Sequence, residues 1–126
     1  MKKIVSISIG SSLRDHKVET VILGTKFLIE RIGTNGDIQR AIQIVKKLDG
    51  KVDVFGMGGI DLFLYGRNNK RYILKAALPI LRAAIKTPIV DGSGLKNTLE
   101  RRVIRFANDE CNVPFLDKKI LLVCGM

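Results

Sequence analysis

Alternating apolar and polar residues begin the chain, a pattern typical of a half-buried strand. The segment from Lys3 to Ile9 has this pattern and ends at Gly10-Ser11-Ser12. Two further β-prone runs, Val18 to Leu23 and Lys26 to Arg31, are separated by Gly24-Thr25. A short connection that contains glycine predicts a β-hairpin at this place.

Helical spacing replaces the alternation after Thr34-Asn35-Gly36-Asp37, which offers N-cap residues. Apolar residues then recur at helical intervals from Ile38 to Leu48, and Asp49-Gly50 ends the helix. A second helix is predicted within Ala76 to Ile85, with its start near Ala77 or Leu78. Pro79 belongs in its first turn, because proline lacks the amide hydrogen that an interior helical position uses.

A third helix is predicted after Asp91-Gly92-Ser93-Gly94, and it ends near Asn108. Its apolar face consists of Leu95, Leu99, Val103 and Phe106. The remaining β-prone runs are Val52 to Phe55, Leu62 to Tyr65, Arg71 to Leu74, Thr87 to Val90 and Lys119 to Cys124. Strands that alternate with helices predict an α/β fold: a mixed, largely parallel sheet with flanking helices, three-layer and Rossmann-like, with antiparallel hairpins.

The length of 126 residues and a hydrophobic share of 46% suit a single α/β domain over residues 1–126. The final run, Leu121 to Met126, passes from an apolar strand into Gly125. A dinucleotide-binding unit begins in this way. The run fits either a natural C-terminal strand or an N-terminal fragment of a two-domain protein, cut at the start of its second domain.

A formal charge of +10 favours anionic partners such as phosphates and carboxylates. The basic residues are spread along the chain, and there is no Trp. The aromatic residues that fall in apolar, core-like patterns are Phe27, Phe55, Phe63 and Phe106. A nucleic-acid surface would need exposed aromatic residues among the basic ones, so we do not expect one.

Two cysteines and one histidine disfavour a disulfide framework or a metal site. Charged residues or glycine interrupt every apolar run well below the ~18 residues of a membrane span. We therefore expect a cytoplasmic protein that does not enter a membrane.

Glycine-bearing loops follow three of the predicted strands, and ligands of α/β sheets bind beyond the carboxyl ends of strands. The loop Asp91 to Asn97 offers the hydroxyl of Ser93, the charge of Lys96 and free amides at a helix start. We expect an anion to bind the amides of Gly94, Leu95 and Lys96. The alternative is an ordinary turn in which Ser93 or Asp91 caps the helix.

The other two loops are Gly10 to Lys17, which has paired serines and basic residues, and Gly56 to Asp61, which is rich in glycine. If the preceding strands are parallel, all three loops lie at one edge of the sheet. The candidate ligand-binding residues are Ser11, Ser12, Arg14, His16, Gly58, Gly59, Asp61, Asp91, Ser93, Gly94, Lys96 and Asn97.

The stretches Ile7 to Lys17, Phe55 to Asp61 and Val90 to Arg101 resemble bacterial proteins labelled quinate/shikimate 5-dehydrogenase-like, most of them uncharacterised. The resemblance covers nearly the whole chain and would make it the N-terminal part of a longer protein. It implies oxidation of a cyclic hydroxy acid with NAD or NADP. The cofactor would bind in the longer protein and not in this fragment, which we expect to be inactive alone.

Shikimate dehydrogenases carry a catalytic lysine and a partner aspartate in motifs that this chain does not reproduce. Lys96 lacks the surrounding pattern, and Asn97-Thr98 is followed by Leu99 instead of aspartate. The resemblance therefore assigns no catalytic residue. An alternative from another class is a non-catalytic binding or sensory module for a phosphorylated metabolite or nucleotide. Homo-oligomerisation stays open.

Overall fold

Seven strands and four α-helices make up the regular structure of the described residues, 1–66, 68 and 70–121, in this computed structural model. The strands are β1 (Lys2–Ser8), β2 (His16–Ile22), β3 (Thr25–Gly33), β4 (Val54–Gly58), β5 (Phe63–Tyr65), β6 (Arg71–Ile73) and β7 (Ile89–Val90). The helices are α1 (Ile38–Leu48), α2 (Leu78–Ala83), α3 (Ser93–Leu95) and α4 (Arg101–Asp109), and a π-helical segment (Lys96–Glu100) joins the last two.

The main sheet has the strand order β2-β3-β1-β4-β7. Strand β1 pairs in parallel with β3 and β4, and β4 pairs in parallel with β7. The predicted hairpin is confirmed as the antiparallel pair β2 and β3. Its turn residues Leu23 and Gly24 have φ values of 48° and 76°, as in the two-residue turns that suit twisted strands. The second predicted hairpin, β5 and β6, forms a separate small sheet.

Helices α1 and α2 pack on the same face of this sheet. Each connects two parallel strands and advances in the same direction across the sheet, and such crossovers are right-handed. The buried side chains agree, since strand residues and helix residues form one cluster. Its members are Val5, Ile7, Ala41, Val45, Phe55, Met57, Leu62, Ala77, Ile80 and Ala83. The mixed, mostly parallel α/β fold is confirmed, and the three-layer Rossmann-like arrangement stays a prediction.

The ends of α1 are those that the sequence predicts. The Asp37 side chain accepts a hydrogen bond from the amide of Arg40 at 2.8 Å and caps the first turn. Asp49 follows the last turn, and Gly50 adopts a φ of 76°. Helix α2 begins at Leu78 with Pro79 in its first turn, also as predicted, although it ends earlier, at Ala83.

The glycine-rich segment after Phe55 is strand and not loop, which corrects the prediction for Gly56 to Gly58. Gly56 pairs with Ser6, and Gly58 pairs with Ser8, in the register of β1 and β4. A Cβ atom on Gly58 would lie 3.0 Å from the Cβ of Ser8. Small residues on both strands therefore allow this close pairing.

The helical run that ends with α4 starts and stops near the predicted positions, but it does not bury its apolar face. Val103 is 48% exposed and Phe106 is 59% exposed, so the prediction that Phe106 belongs to the core is wrong. Phe55 is fully buried, whereas Phe27 and Phe63 are half-buried. No described helix is both long enough and apolar enough to cross a membrane.

The predicted final strand is not found in its described part. Lys119, Ile120 and Leu121 belong to no strand, and Ile120 and Leu121 are exposed. These residues are therefore not the buried strand that the apolar run predicts. The remaining positions of that strand, 122–124, and the run to Met126 lie outside the described residues.

Candidate functional site

The three predicted loops lie at one edge of the sheet. Strands β1, β4 and β7 are mutually parallel, so their carboxyl ends meet at the same edge. The first two loops are in direct contact there, because the amide of Ile9 donates to the carbonyl of Gly58 at 3.0 Å. The predicted shared edge is confirmed.

The paired serines after β1 organise the first loop. The Ser11 Oγ accepts from the amide of Leu13 at 3.2 Å and caps the 3-10 turn Ser12–Arg14. The Ser12 amide donates to the Asn35 Oδ1 at 2.7 Å, and the Asn35 Nδ2 donates back to the Ser12 Oγ at 3.0 Å. Both hydroxyl oxygens thus accept bonds from the protein.

Arg31 is a member of this site that the sequence analysis missed. It lies in β3, and its side chain is 15% exposed. Its Nη1 donates to the carbonyl of Ser11 at 3.0 Å and to the Asp15 Oδ1 at 2.8 Å, and its Nη2 donates to the Ser8 Oγ at 2.9 Å. The signal in the sequence that could have identified Arg31 was its charge inside the apolar run Phe27 to Ile32.

Arg14 ends close to Arg31. A Cβ atom on Gly10 would lie 2.9 Å from the Arg14 Nη2 and 3.2 Å from both the Arg31 Nη2 and the Ser8 Oγ. His16 begins β2, and its Nδ1 lies 3.0 Å from the carbonyl oxygen of Arg14. Two cationic groups and one hydroxyl therefore converge beside Gly10.

Gly59 allows the close approach of the first two loops. It has a φ of 71°, and a Cβ atom there would lie 2.9 Å from the Ile9 Cγ1 and 3.2 Å from the amide nitrogen of Gly10. Both the backbone conformation and the lack of space require glycine at this position.

Asp91 joins the third loop to β5. Its Oδ2 accepts from the amides of Leu62 and Phe63 at 2.6 and 3.0 Å, and its Oδ1 accepts from the amide of Ser93 at 3.0 Å. Partial burial acts to raise the pKa of Asp91. The hydrogen bonds from Ser93, Phe63 and Leu62 together outweigh this effect, so the pKa lies below its ordinary value. Asp91 therefore has a structural role. The N-cap residue of α3 is Gly92, whereas the capping alternative predicted Asp91 or Ser93.

Lys96 and Asp61 form an ion pair. The Lys96 Nζ lies 2.6 Å from the Asp61 Oδ2, and the two side chains are 41% and 24% exposed. The hydrogen bond to Asp61 raises the pKa of Lys96 above its ordinary value. Lys96 is consequently protonated at neutral pH and shares its charge with Asp61, an arrangement that the sequence analysis did not foresee.

Two of the three amides predicted to bind an anion after β7 are hydrogen-bonded within their own turn. The Leu95 amide donates to the carbonyl of Gly92 at 3.0 Å, and the Lys96 amide donates to the carbonyl of Ser93. These bonds form because α3 is a single short turn. Gly94 is exposed, with open space beside it. The Asn97 Oδ1 is buried and has no hydrogen-bond partner among the described residues.

The candidate residues thus form two groups at one edge of an α/β domain. One surrounds Gly10 and contains Ser11, Ser12, Arg14, His16, Gly58 and Gly59, and the other contains Asp61, Asp91, Ser93, Gly94, Lys96 and Asn97. The described side chains contain no group of three His, Cys, Asp or Glu that could hold a metal ion.

These features define an α/β domain with polar and cationic groups at the carboxyl edge of its sheet. Within that class, the chain belongs to the family described as Domain of unknown function (DUF8753), whose profile matches residues 3–91. No curated protein sequence matches the chain. No solved structure matches it.

Proposed function

We propose that the chain is the ligand-binding N-terminal domain of an oxidoreductase related to quinate/shikimate 5-dehydrogenases. Its ligand is a small hydroxy acid anion that binds at the carboxyl edge of the sheet. The observation that supports this proposal is the pair of Lys96 and Asp61. A lysine beside an aspartate is the combination that the resemblance connects with hydroxy acids, although the sequence motifs for it are missing.

The protonation state of Lys96 decides what the pair can do. Since the hydrogen bond to Asp61 raises the pKa of Lys96, the amine is an ammonium with three N–H donors, one of which Asp61 accepts. The other donors can bind a hydroxyl or carboxylate oxygen, because the side chain is 41% exposed. The pair therefore suits binding and orientation of a hydroxy acid.

The loop after β7 does not fit a dinucleotide, so we derive no hydride-transfer step. A pyrophosphate needs free amides at the start of a helix, whereas the amides of Leu95 and Lys96 are bonded within their own turn. NAD or NADP, which supplies a hydride acceptor, belongs to the longer protein in this proposal. The proposal also includes a three-layer Rossmann-like arrangement and the position of this chain before a second domain.

Titration of the chain with quinate and shikimate tests the proposal, with backbone amide NMR as the readout. We expect saturable shifts at Gly92 and Gly94. Lys96→Ala should weaken binding at least tenfold, because a charge-assisted hydrogen bond contributes about 1.5–3 kcal/mol. Lys46→Ala, on the exposed part of α1, is the matched control and should bind normally. Absence of binding, or equal affinity of Lys96→Ala, contradicts the proposal.

A non-catalytic module for a phosphorylated metabolite is the second candidate, and the guanidinium of Arg14 beside Gly10 favours it. Phosphate groups are commonly bound by arginine forks. Under this candidate, inorganic phosphate binds more tightly than quinate in the same titration. Tighter binding of quinate favours the dehydrogenase-related function.

A further inference from the structure

Several polar groups converge beside Gly10 in the first loop. We define the arginine cradle as Ser8, Gly10, Arg14, Arg31 and Gly58. We propose that it binds the oxyanion of an anionic ligand, a carboxylate or a phosphate. The inference deepens the proposed function and rests on it, because it names the group that recognises the ligand's acidic end.

The polar groups of the cradle approach the backbone this closely because two of its residues lack side chains. The Cβ position of Gly10 lies within 3.2 Å of polar atoms of Ser8, Arg14 and Arg31. The Cβ position of Gly58 lies 3.1 Å from the Ser8 Oγ. The hydroxyl of Ser8 therefore lies beside two positions where any larger residue would fill the space next to it.

The hydroxyl of Ser8 is a buried donor. The residue is 3% exposed, and its Oγ accepts from the amide of Gly10 at 3.1 Å and from the Arg31 Nη2 at 2.9 Å. A hydroxyl also carries one hydrogen to donate, and none of its described hydrogen bonds uses that hydrogen. A buried donor without an acceptor is costly, and a ligand oxygen would remove the cost.

The two arginines differ in how many of their N–H donors are already hydrogen-bonded. Arg31 is held by Ser8, Ser11 and Asp15, which fixes its guanidinium. Arg14 is exposed and forms no salt bridge within the described part of the chain. A fixed guanidinium group beside a free one is suited to bind a carboxylate or phosphate, which can accept paired hydrogen bonds.

The charge balance of the cradle is positive. Asp15 is the carboxylate in contact with it, and its Oδ1 already accepts from Arg31 at 2.8 Å and from the amide of Gly33 at 2.6 Å. One carboxylate therefore faces two guanidinium groups. All these residues lie inside the segment 3–91 that matches the family profile, so the cradle is part of the family's own domain.

Glycine amides make the two groups of the site separately visible in one NMR titration of the chain at low ionic strength. Gly10 and Gly58 report on the cradle, while Gly92 and Gly94 report on the surroundings of Lys96. The probes are inorganic phosphate and acetate, each compared with sodium chloride at equal ionic strength. We expect saturable shifts of Gly10 and Gly58 with phosphate or acetate, and the tighter probe identifies the class of oxyanion.

Arg14→Gln should weaken this binding at least tenfold, as expected for a charge-assisted contact. Arg40→Gln, an exposed arginine in α1, is the matched control and should leave it unchanged. Gly10→Ala should also weaken binding, because its methyl group would lie 2.9 Å from the Arg14 Nη2 and displace the end of that flexible side chain. A native amide spectrum of these variants excludes loss of folding.

Three results would overturn the inference: equal shifts with chloride, unchanged affinity of Arg14→Gln, or shifts confined to Gly92 and Gly94. The last result would leave the proposed function intact, because it places the anion at Lys96. Shifts of Gly10 and Gly58 that survive Lys96→Ala support the cradle even if quinate and shikimate do not bind. If all four glycines show no shift with phosphate, acetate, quinate or shikimate, both proposals are contradicted.

Discussion

Carboxylates of this domain accept hydrogen bonds from backbone amides that are distant in sequence. Asp15 binds the amide of Gly33, and Asp91 binds the amides of Leu62 and Phe63. Asp49 binds the amides of residues 85–87 after α2. Each carboxylate attaches a loop to another element. Asp15 and Asp91 do so at the edge on which the candidate site is built, and Asp49 does so at the opposite edge, before β4 and β7 begin.

Asp91→Asn should reduce the free energy of unfolding by roughly 1 kcal/mol at neutral pH, because amide bonds to a charged acceptor are stronger than those to a neutral one. The folded pKa of Asp91 is lowered. Its stabilisation is therefore complete above the unfolded pKa of about 4 and is lost as the pH falls through the folded pKa. Urea denaturation at several pH values measures the effect.

The difference between wild type and Asp91→Asn should consequently disappear at strongly acidic pH. Asp117→Asn, in an exposed turn, serves as the matched control and should match the wild type throughout. A difference between wild type and Asp91→Asn that persists unchanged into acid would show that the charge of Asp91 does not stabilise the loop.

Local sequence patterns predict individual helices and strands well, but they predict poorly which residues contact each other in space. The alternation in Lys3 to Ile9 and the helical spacing of α1 are properties of adjacent residues, and both predictions are confirmed. The strand conformation of Gly56 to Gly58 depends on the serines of β1, and the pairing of Lys96 with Asp61 spans 35 residues. Such contacts follow from topology and not from local spacing. The loops after β1 and β7 were therefore predictable, but their partners and the strand conformation of Gly56 to Gly58 were not.

Two glycines, Gly33 and Gly94, should respond oppositely to substitution by alanine. A Cβ atom on Gly33 would lie 2.6 Å from the carbonyl oxygen of Ser11, a backbone atom, so Gly33→Ala should destabilise the domain by about 1–3 kcal/mol. Gly94 has open space and a helical environment. Gly94→Ala should therefore stabilise it by up to about 1 kcal/mol. Thermal unfolding compares them, and equal effects contradict the argument.

At the scale of the whole molecule, the charged groups and the exposed apolar residues of α4 lie outside the buried core. The net charge of +10 is spread over the surface, and the described acidic residues that are paired with cations are Asp15, Glu30, Asp53 and Asp61. Helix α4 leaves its apolar residues exposed. The stability of the domain consequently depends on the cluster between the sheet and α1 and α2, and not on α4.

Two phenylalanines that the sequence predicts to be in the core should therefore contribute differently to the free energy of unfolding. Phe55 is 0% exposed within the core cluster, so Phe55→Ala should reduce the free energy of unfolding by about 3–5 kcal/mol. Phe106 is 59% exposed in α4, so Phe106→Ala should change it by less than about 0.5 kcal/mol. Urea denaturation of both variants, monitored by circular dichroism, provides the comparison. If Phe106→Ala were as costly as Phe55→Ala, α4 would have to pack on the folded domain, and the exposed position of its apolar face would be wrong.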